Sequence, residues 1–126
     1  MPSFGNKSLD NLIGVHPDIL NVLQEAIKYY DFSVLEGVRG LDRQKVLYAT
    51  GKSQTLNSKH LRQSDGYSHA VDIAPYPIDW EDTDRFSYLA GLIRGISGAQ
   101  GVKITWGGDW VTLKDCPHFQ LEKEVN

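Results

Sequence analysis

Apolar residues recur along this chain with two periods, and each period predicts its elements. Behind His16-Pro17-Asp18, the residues Ile19, Leu20, Leu23, Ala26, Ile27 and Tyr30 fall on one face at helical spacing. Proline suits an early helical position and Asp18 favours the positive end of the helix dipole, so this is the first clear helix. Phe32 to Val38 alternates like a strand that delivers Arg39 to its end, where Gly40 breaks the pattern. Asp42 is placed to cap a second helix that runs to about Thr50 and stops at Gly51. Lys52 to Tyr67 is polar and reads as an exposed loop, leading into a strand from about His69 to Ala74 that Pro75 and Pro77 close. Asp82-Thr83-Asp84 opens a long helix with a stripe of Phe86, Leu89, Ala90, Ile93 and Ile96, and Gly98 and Gly101 bracket its exit. Val102 to Trp106 predicts a strand, Gly107-Gly108 a tight turn, and His118 to Leu121 a short last strand.

Helices and strands alternate irregularly with short links, which predicts an α+β fold: a small antiparallel sheet with helices packed on one side. The 126 residues suit one domain, residues 1–126. Lys and Arg are scattered and the net charge is −3, so no basic face is offered to nucleic acid. No stretch approaches the roughly 20 apolar residues of a membrane span, so membrane insertion is not expected. Cys116 is the only cysteine, which excludes an intrachain disulfide. The first residues, Met1 to Lys7, contain no apolar run like a signal peptide, and a cytoplasmic location is expected.

The chemistry-bearing residues are spread along the chain. His60, Asp72 and His118 make a two-histidine, one-carboxylate set, and Asp115 is a further carboxylate three residues before the last histidine. A catalytic zinc site needs three protein ligands, an open position for water and a base for that water's proton. Adjacent strands can bring Asp72 and His118 together, while Pro117 stiffens the segment that holds Asp115. Taken one at a time, a surface histidine or a strand aspartate is an ordinary structural residue. Trp106 and Trp110 suit either a substrate groove or the core, Cys116 a buried thiol, and His16 the start of a helix.

Read together, Ser58-x-His60, Ala70-x-Asp72, Trp106-Gly-Gly-Asp109 and Asp115-x-Pro-His118-Phe119 resemble the M15 family of zinc peptidases. That family includes D-Ala-D-Ala carboxypeptidases and dipeptidases, and the phage L-alanyl-D-glutamate endolysins, whose branch this chain resembles most. The resemblance covers Val34 to Gln120 and implies the small α+β fold shared with the hedgehog signalling domain. It implies a zinc cofactor and, as substrate, the stem peptide of bacterial peptidoglycan, cut by a monomer that a holin releases from the host cytoplasm to the wall. His60, Asp72 and His118 match the zinc ligands and Asp115 the catalytic carboxylate. Arg39 matches an arginine for the substrate carbonyl or oxyanion, while Ser58 and Trp110 fall at the substrate groove. Gln44 and Tyr48 sit where the branch carries similar residues and are read as structural.

The family pattern places the aspartate seven residues after the first histidine, whereas Asp72 follows His60 by twelve. Five extra residues lie around Gln63 to Tyr67, and Ser68 stands where the pattern has glycine. This segment is expected as a mobile surface excursion near the mouth of the cleft. His69 is the rival first ligand, but residues three apart on a strand face opposite sides, which favours His60. Other readings are a D,D- or L,D-carboxypeptidase or dipeptidase of wall remodelling, a non-catalytic zinc-stabilised wall-binding module, and a glycosidase using Asp109 and Asp115.

Overall fold

The structure, a computed structural model, describes residues 2–111 and 114–122. In chain order its elements are α1 (Asn6–Asn11), α2 (Pro17–Ala26), β1 (Phe32–Glu36), α3 (Leu41–Ala49) and β2 (Ala70–Pro75). They are followed by α4 (Thr83–Ala99), β3 (Ile104–Trp106), a 3-10 turn (Gly107–Asp109) and β4 (His118–Leu121). The four strands form one antiparallel sheet in the order β1-β2-β4-β3. The fold is the expected α+β one.

Side chains alternate across a strand, so register sorts the sheet into two faces. The pairs Val34–Ile73, Val71–Phe119 and Ile104–Leu121 share one face. They are buried in one core with Ile19, Val22 and Leu23 of α2 and Leu89, Ala90 and Ile93 of α4. Each such side chain contributes about 1.5–3 kcal/mol on burial, which is why the helical stripes pack here. The intervening positions carry Glu36, Asp72 and His118, paired in one row across β1, β2 and β4. One face of the sheet therefore builds the core, and the other presents polar chemistry.

Several boundaries differ from the periodicity. Helix α1 has no apolar stripe and is held from outside: the Val34 N–H donates to Ser8 Oγ at 3.0 Å, and Asn11 Nδ2 donates to the Val34 carbonyl at 2.8 Å. Gly40, not Asp42, occupies the N-cap of α3, without a side-chain bond, and Asp42 lies in its first turn. Helix α2 ends at Ala26, before Tyr30. Strand β1 stops at Glu36, where its register with β2 shifts. The next residue is locked against α1, since a Cβ at Gly37 would stand 2.1 Å from the Asn11 carbonyl oxygen. Strand β2 takes in Pro75, which pairs with Phe32, and β3 begins only at Ile104. The tight turn at Gly107-Gly108 is the start of a 3-10 turn. Asp82 does cap α4, its carboxylate accepting from the Arg85 N–H.

Candidate active site

Asp72 and His118 face each other directly across β2 and β4, and Glu36 flanks Asp72 from β1. His60 arrives from the long connection between α3 and β2. It is pinned on both sides: the Arg39 N–H donates to the His60 carbonyl at 2.9 Å, and the His69 N–H donates to the Lys59 carbonyl at 2.8 Å. The Ser58 hydroxyl accepts the His60 N–H at 3.1 Å. Within a stretch read as an exposed loop, His60 is only 2% exposed.

Three ligand atoms converge. His60 Nε2 and His118 Nδ1 lie 3.2 and 3.1 Å from Asp72 Oδ1, and 3.2 Å from each other. The second nitrogen of each ring decides what this arrangement is for. His60 Nδ1 is 2.8 Å from the Gly37 carbonyl oxygen, and His118 Nε2 is 2.9 Å from Gln120 Oε1. Both partners accept, so those nitrogens carry the ring protons, as inferred from the hydrogen-bond network. The two nitrogens that face Asp72 then present lone pairs. Two lone pairs and an anionic oxygen about 3.2 Å apart fit a small tetrahedral cation, whose ligands at about 2.0–2.2 Å stand at such separations. The outward N–H of each ring is tied down in the manner usual for metal-binding imidazoles. The residues present therefore fit a metal ion.

The same cluster attracts positive charge, whether a metal ion or protons. Without a metal, protons on the inner ring nitrogens take its place: burial works against ionisation of Asp72, yet hydrogen bonds from His118 and His60 in that protonated form outweigh it and hold the carboxyl far below its usual range. Burial likewise disfavours a charged His118, but its bonds to Asp72 and Gln120 raise its pKa above the ordinary value. Asp115 behaves oppositely: burial and the nearby charge of Asp72 push its pKa up.

Asp115 sits in the turn before β4. Its N–H donates to the Gly107 carbonyl at 3.0 Å, and its own carbonyl accepts the His118 N–H at 3.1 Å. Gly107 lies so close that a Cβ there would stand 2.3 Å from the Asp115 carbonyl oxygen and 3.1 Å from His118 Cβ. That contact gives the Trp-Gly-Gly-Asp motif its physical meaning. Ser58, Trp110, Asp115, His118 and Gln120 line one cleft of about 780 Å³, together with Lys52 and neighbouring polar residues. The Trp110 ring packs 5.2 Å, centroid to centroid, from His118.

A family model described as phage L-alanyl-D-glutamate peptidase matches residues 2–123. The chain belongs to that family. Its fold is similar to the crystal structure of the Serratia marcescens L-Ala D-Glu endopeptidase ChiX, at 42% identity and a TM-score of 0.83, covering 94% of this chain and 88% of that one. It also resembles the LdcB LD-carboxypeptidase at 15% identity and a TM-score of 0.51, covering 85% of this chain and 58% of that one, a likeness of fold alone. This phage L-alanyl-D-glutamate peptidase family member is thus a peptidoglycan hydrolase.

Within this family member the other expected residues find defined places. Arg39, expected at the substrate carbonyl, is instead engaged by protein: Nε and Nη2 donate to Glu36 at 3.2 and 2.7 Å, and Nη1 donates to Gln44 at 2.8 Å. Its Nη2 is 4.0 Å from Asp72 Oδ2, and it is not among the residues lining the cleft. The physical reason is the row of carboxylates on β1 and β2, which draws the guanidinium to itself. Gln44 is fully buried and bridges Arg39 to Ser53 and the Thr55 carbonyl, a structural role as expected; Tyr48 is exposed. Trp106 stacks on Phe119 and donates its Nε1–H to the Cys116 carbonyl, while Cys116 itself is a half-buried free thiol. Asp109 is paired with Arg94 of α4, which removes it from the carboxylate pair a glycosidase would need.

Three contributors were not picked out in the sequence. Gln120 carries a readable signal, since two residues after His118 on a strand it shares that histidine's face. Glu36 shows only as a polar position in an apolar strand. The Gly37 carbonyl has no side-chain signature at all.

Proposed function

We propose that this chain is a zinc-dependent endopeptidase that hydrolyses the L-alanyl-D-glutamate bond of the peptidoglycan stem peptide, acting as a phage endolysin. It acts as a monomer and stays in the host cytoplasm until a holin opens the way to the wall. One observation carries the reading: two imidazoles, each with its outer N–H held by an acceptor, aim lone pairs at Asp72, and Asp115 lines the cleft beside them. Family membership and the ChiX likeness support the choice of bond.

His60, Asp72 and His118 would hold the zinc. When bound there, zinc lowers the pKa of a water to about 7 and polarises a carbonyl oxygen. The chain's own groups do the rest. Asp115, whose raised pKa suits proton transfer, accepts a proton from the water as it adds to the alanyl carbonyl carbon. It returns that proton to the glutamate nitrogen as the C–N bond breaks. Arg39, bonded to Glu36 and Gln44 and 4.0 Å from Asp72 Oδ2, braces the strand pair that carries Asp72. Ser58 positions His60, and Trp110 walls the cleft against the peptide and shields His118 from water.

The test is digestion of purified peptidoglycan by enzyme of known metal content. Fragments with new N-terminal glutamate and no new reducing sugar are expected, with about one zinc per chain, the content of a mononuclear site. Chelation should stop the reaction until zinc is returned. Release of D-alanine alone would make it a carboxypeptidase, and full rates in metal-free enzyme would refute the metallopeptidase reading.

A further inference from the structure

A second group of two imidazoles and a carboxylate gathers away from the cleft: His16, Asp65 and His69. Asp65 Oδ2 lies 2.8 Å from His69 Nε2 and 3.6 Å from His16 Nε2. By residue type this group matches the first, and again the second ring nitrogens tell what it is. His16 Nδ1 accepts the backbone N–H of Asp18 at 3.0 Å as the N-cap of α2, so its proton is on Nε2. His69 Nδ1 is buried without a hydrogen-bond partner among the described residues. A buried N–H left unpaired is the rarer and costlier state, which places this proton too on Nε2. Both Nε2 atoms are therefore donors, and neither offers a lone pair to a metal. Metal-binding imidazoles show the reverse arrangement, with the outer N–H held by an acceptor.

The surroundings show what a carboxylate that accepts from His69 and stands beside His16 achieves. The five extra residues fold back on themselves: the Gln63 N–H donates to the Tyr67 carbonyl and the Tyr67 N–H to Asp65 Oδ1. The Ser68 N–H donates to the Gly14 carbonyl, and the His16 N–H returns a bond to the Ser68 carbonyl. The His69 N–H holds the Lys59 carbonyl, one residue before His60. The inserted segment is thus stitched to the start of α2, and its last stitch reaches the first metal ligand. Its residues 63–67 do not line the cleft, contrary to the expectation of an excursion at its mouth.

We propose that Asp65 is a positioning residue: by gathering His16 and His69 it converts the longer connection between His60 and Asp72 into a rigid one and holds His60 in ligand position. This rests on the reading of His60, Asp72 and His118 as the metal site. A longer segment between two ligands has more conformations to lose, and the clamp removes them before the metal arrives.

Zinc binding to metal-free protein, measured by chelator competition, tests this alongside exchange of the His69 amide hydrogen. Wild type should bind one zinc. Asp65→Ala should hold it about 10-fold or more weakly, the scale for outer partners of a metal site, and its His69 amide should exchange faster with the far-UV spectrum unchanged. His69→Gln keeps an N–H near the Nε2 position but is a poor zinc ligand, and should bind zinc like wild type; His69→Phe should be weakened like Asp65→Ala. Two zinc ions in wild type, one of them lost in Asp65→Ala, would overturn the clamp by making it a metal site. Unchanged zinc affinity and amide exchange in Asp65→Ala would overturn it as well. Should Asp65→Ala fail to fold, the His69 pair decides, because equal weakening in Gln and Phe contradicts a donor role. Absence of any zinc in wild type would instead sink the metal-site reading, while faster His69 exchange would still report the clamp.

Discussion

Gln120 Oε1 accepts the Nε2–H of His118 at 2.9 Å, and through it β4 sets which nitrogen of that ring faces Asp72. The two residues are neighbours on one face of one strand, so the histidine carries its own orienting partner two positions away. The Gly37 carbonyl does the same for His60 from β1's exit. The chemistry of the site depends on these acceptors as much as on the ligands.

Replacing Gln120 with Leu keeps size and strand position but removes the acceptor. Zinc affinity should fall about 10–100-fold, the usual cost of losing an outer partner, with the sheet intact. Chelator competition checks this, and an unchanged affinity would show that His118 is oriented by its backbone alone.

Asp115→Asn separates base from ligand. An amide cannot take the proton, so the rate should fall by about 10²-fold or more while zinc content stays at the wild-type level. Loss of the metal with the fold retained would place Asp115 among the ligands.

The carboxyls titrate in opposite directions. Asp115, raised by burial and by Asp72, stays protonated to higher pH than an ordinary aspartate, so as pH falls it stops serving as base before an ordinary aspartate, at 3.8, would. Burial opposes ionisation of Glu36, but Arg39 and Arg43 lower its pKa, and Asp72 is lowered by His118 and His60. For these two the folded state binds fewer protons than the unfolded chain. Their contribution to stability is present above the unfolded values of 4.5 and 3.8, and is lost as pH falls below them. Carboxyl-carbon NMR titration of the metal-free protein reads each group, and an Asp115 resonance that titrates at or below 3.8 would contradict the site as described.

Gly107→Ala should disable the enzyme without touching a reacting group. Its Cβ would meet the Asp115 carbonyl, which forces the turn holding the base to move. A 1 Å misplacement costs on the order of 10²-fold in rate, so kcat should drop while zinc remains. Wild-type kcat would mean that the turn adapts elsewhere.

Ile73→Ala tests the other face of the same strand. Ile73 is fully buried between β1 and the helices, and truncation should cost about 2–5 kcal/mol, read as a lowered denaturation midpoint.

The periods of 2 and 3.6 are properties of a few consecutive residues. The stripes of α2 and α4, the apolar face of Val71 and Ile73, and the last strand with His118 were therefore legible from residue order. So was the grouping of His60, Asp72 and His118 with Asp115 nearby, because these residues sit in motifs spread over most of the chain. Helix α1 was not, since its bonds come from Val34 across the fold. Nor was the placing of Arg39, which turns on Glu36 standing beside Asp72 through the register of β1 with β2. Most of all, residue order names a histidine but not its proton. His16 reads as a helix-entry residue and His69 as a rival to His60; in the structure an Asp18 amide and a nitrogen without a partner among the described residues make donors of that pair, while the Gly37 carbonyl and Gln120 turn the lone pairs of His60 and His118 toward Asp72. The difference lies in which atom packs against each ring, and only long-range pairing of strands, turns and helix ends sets that.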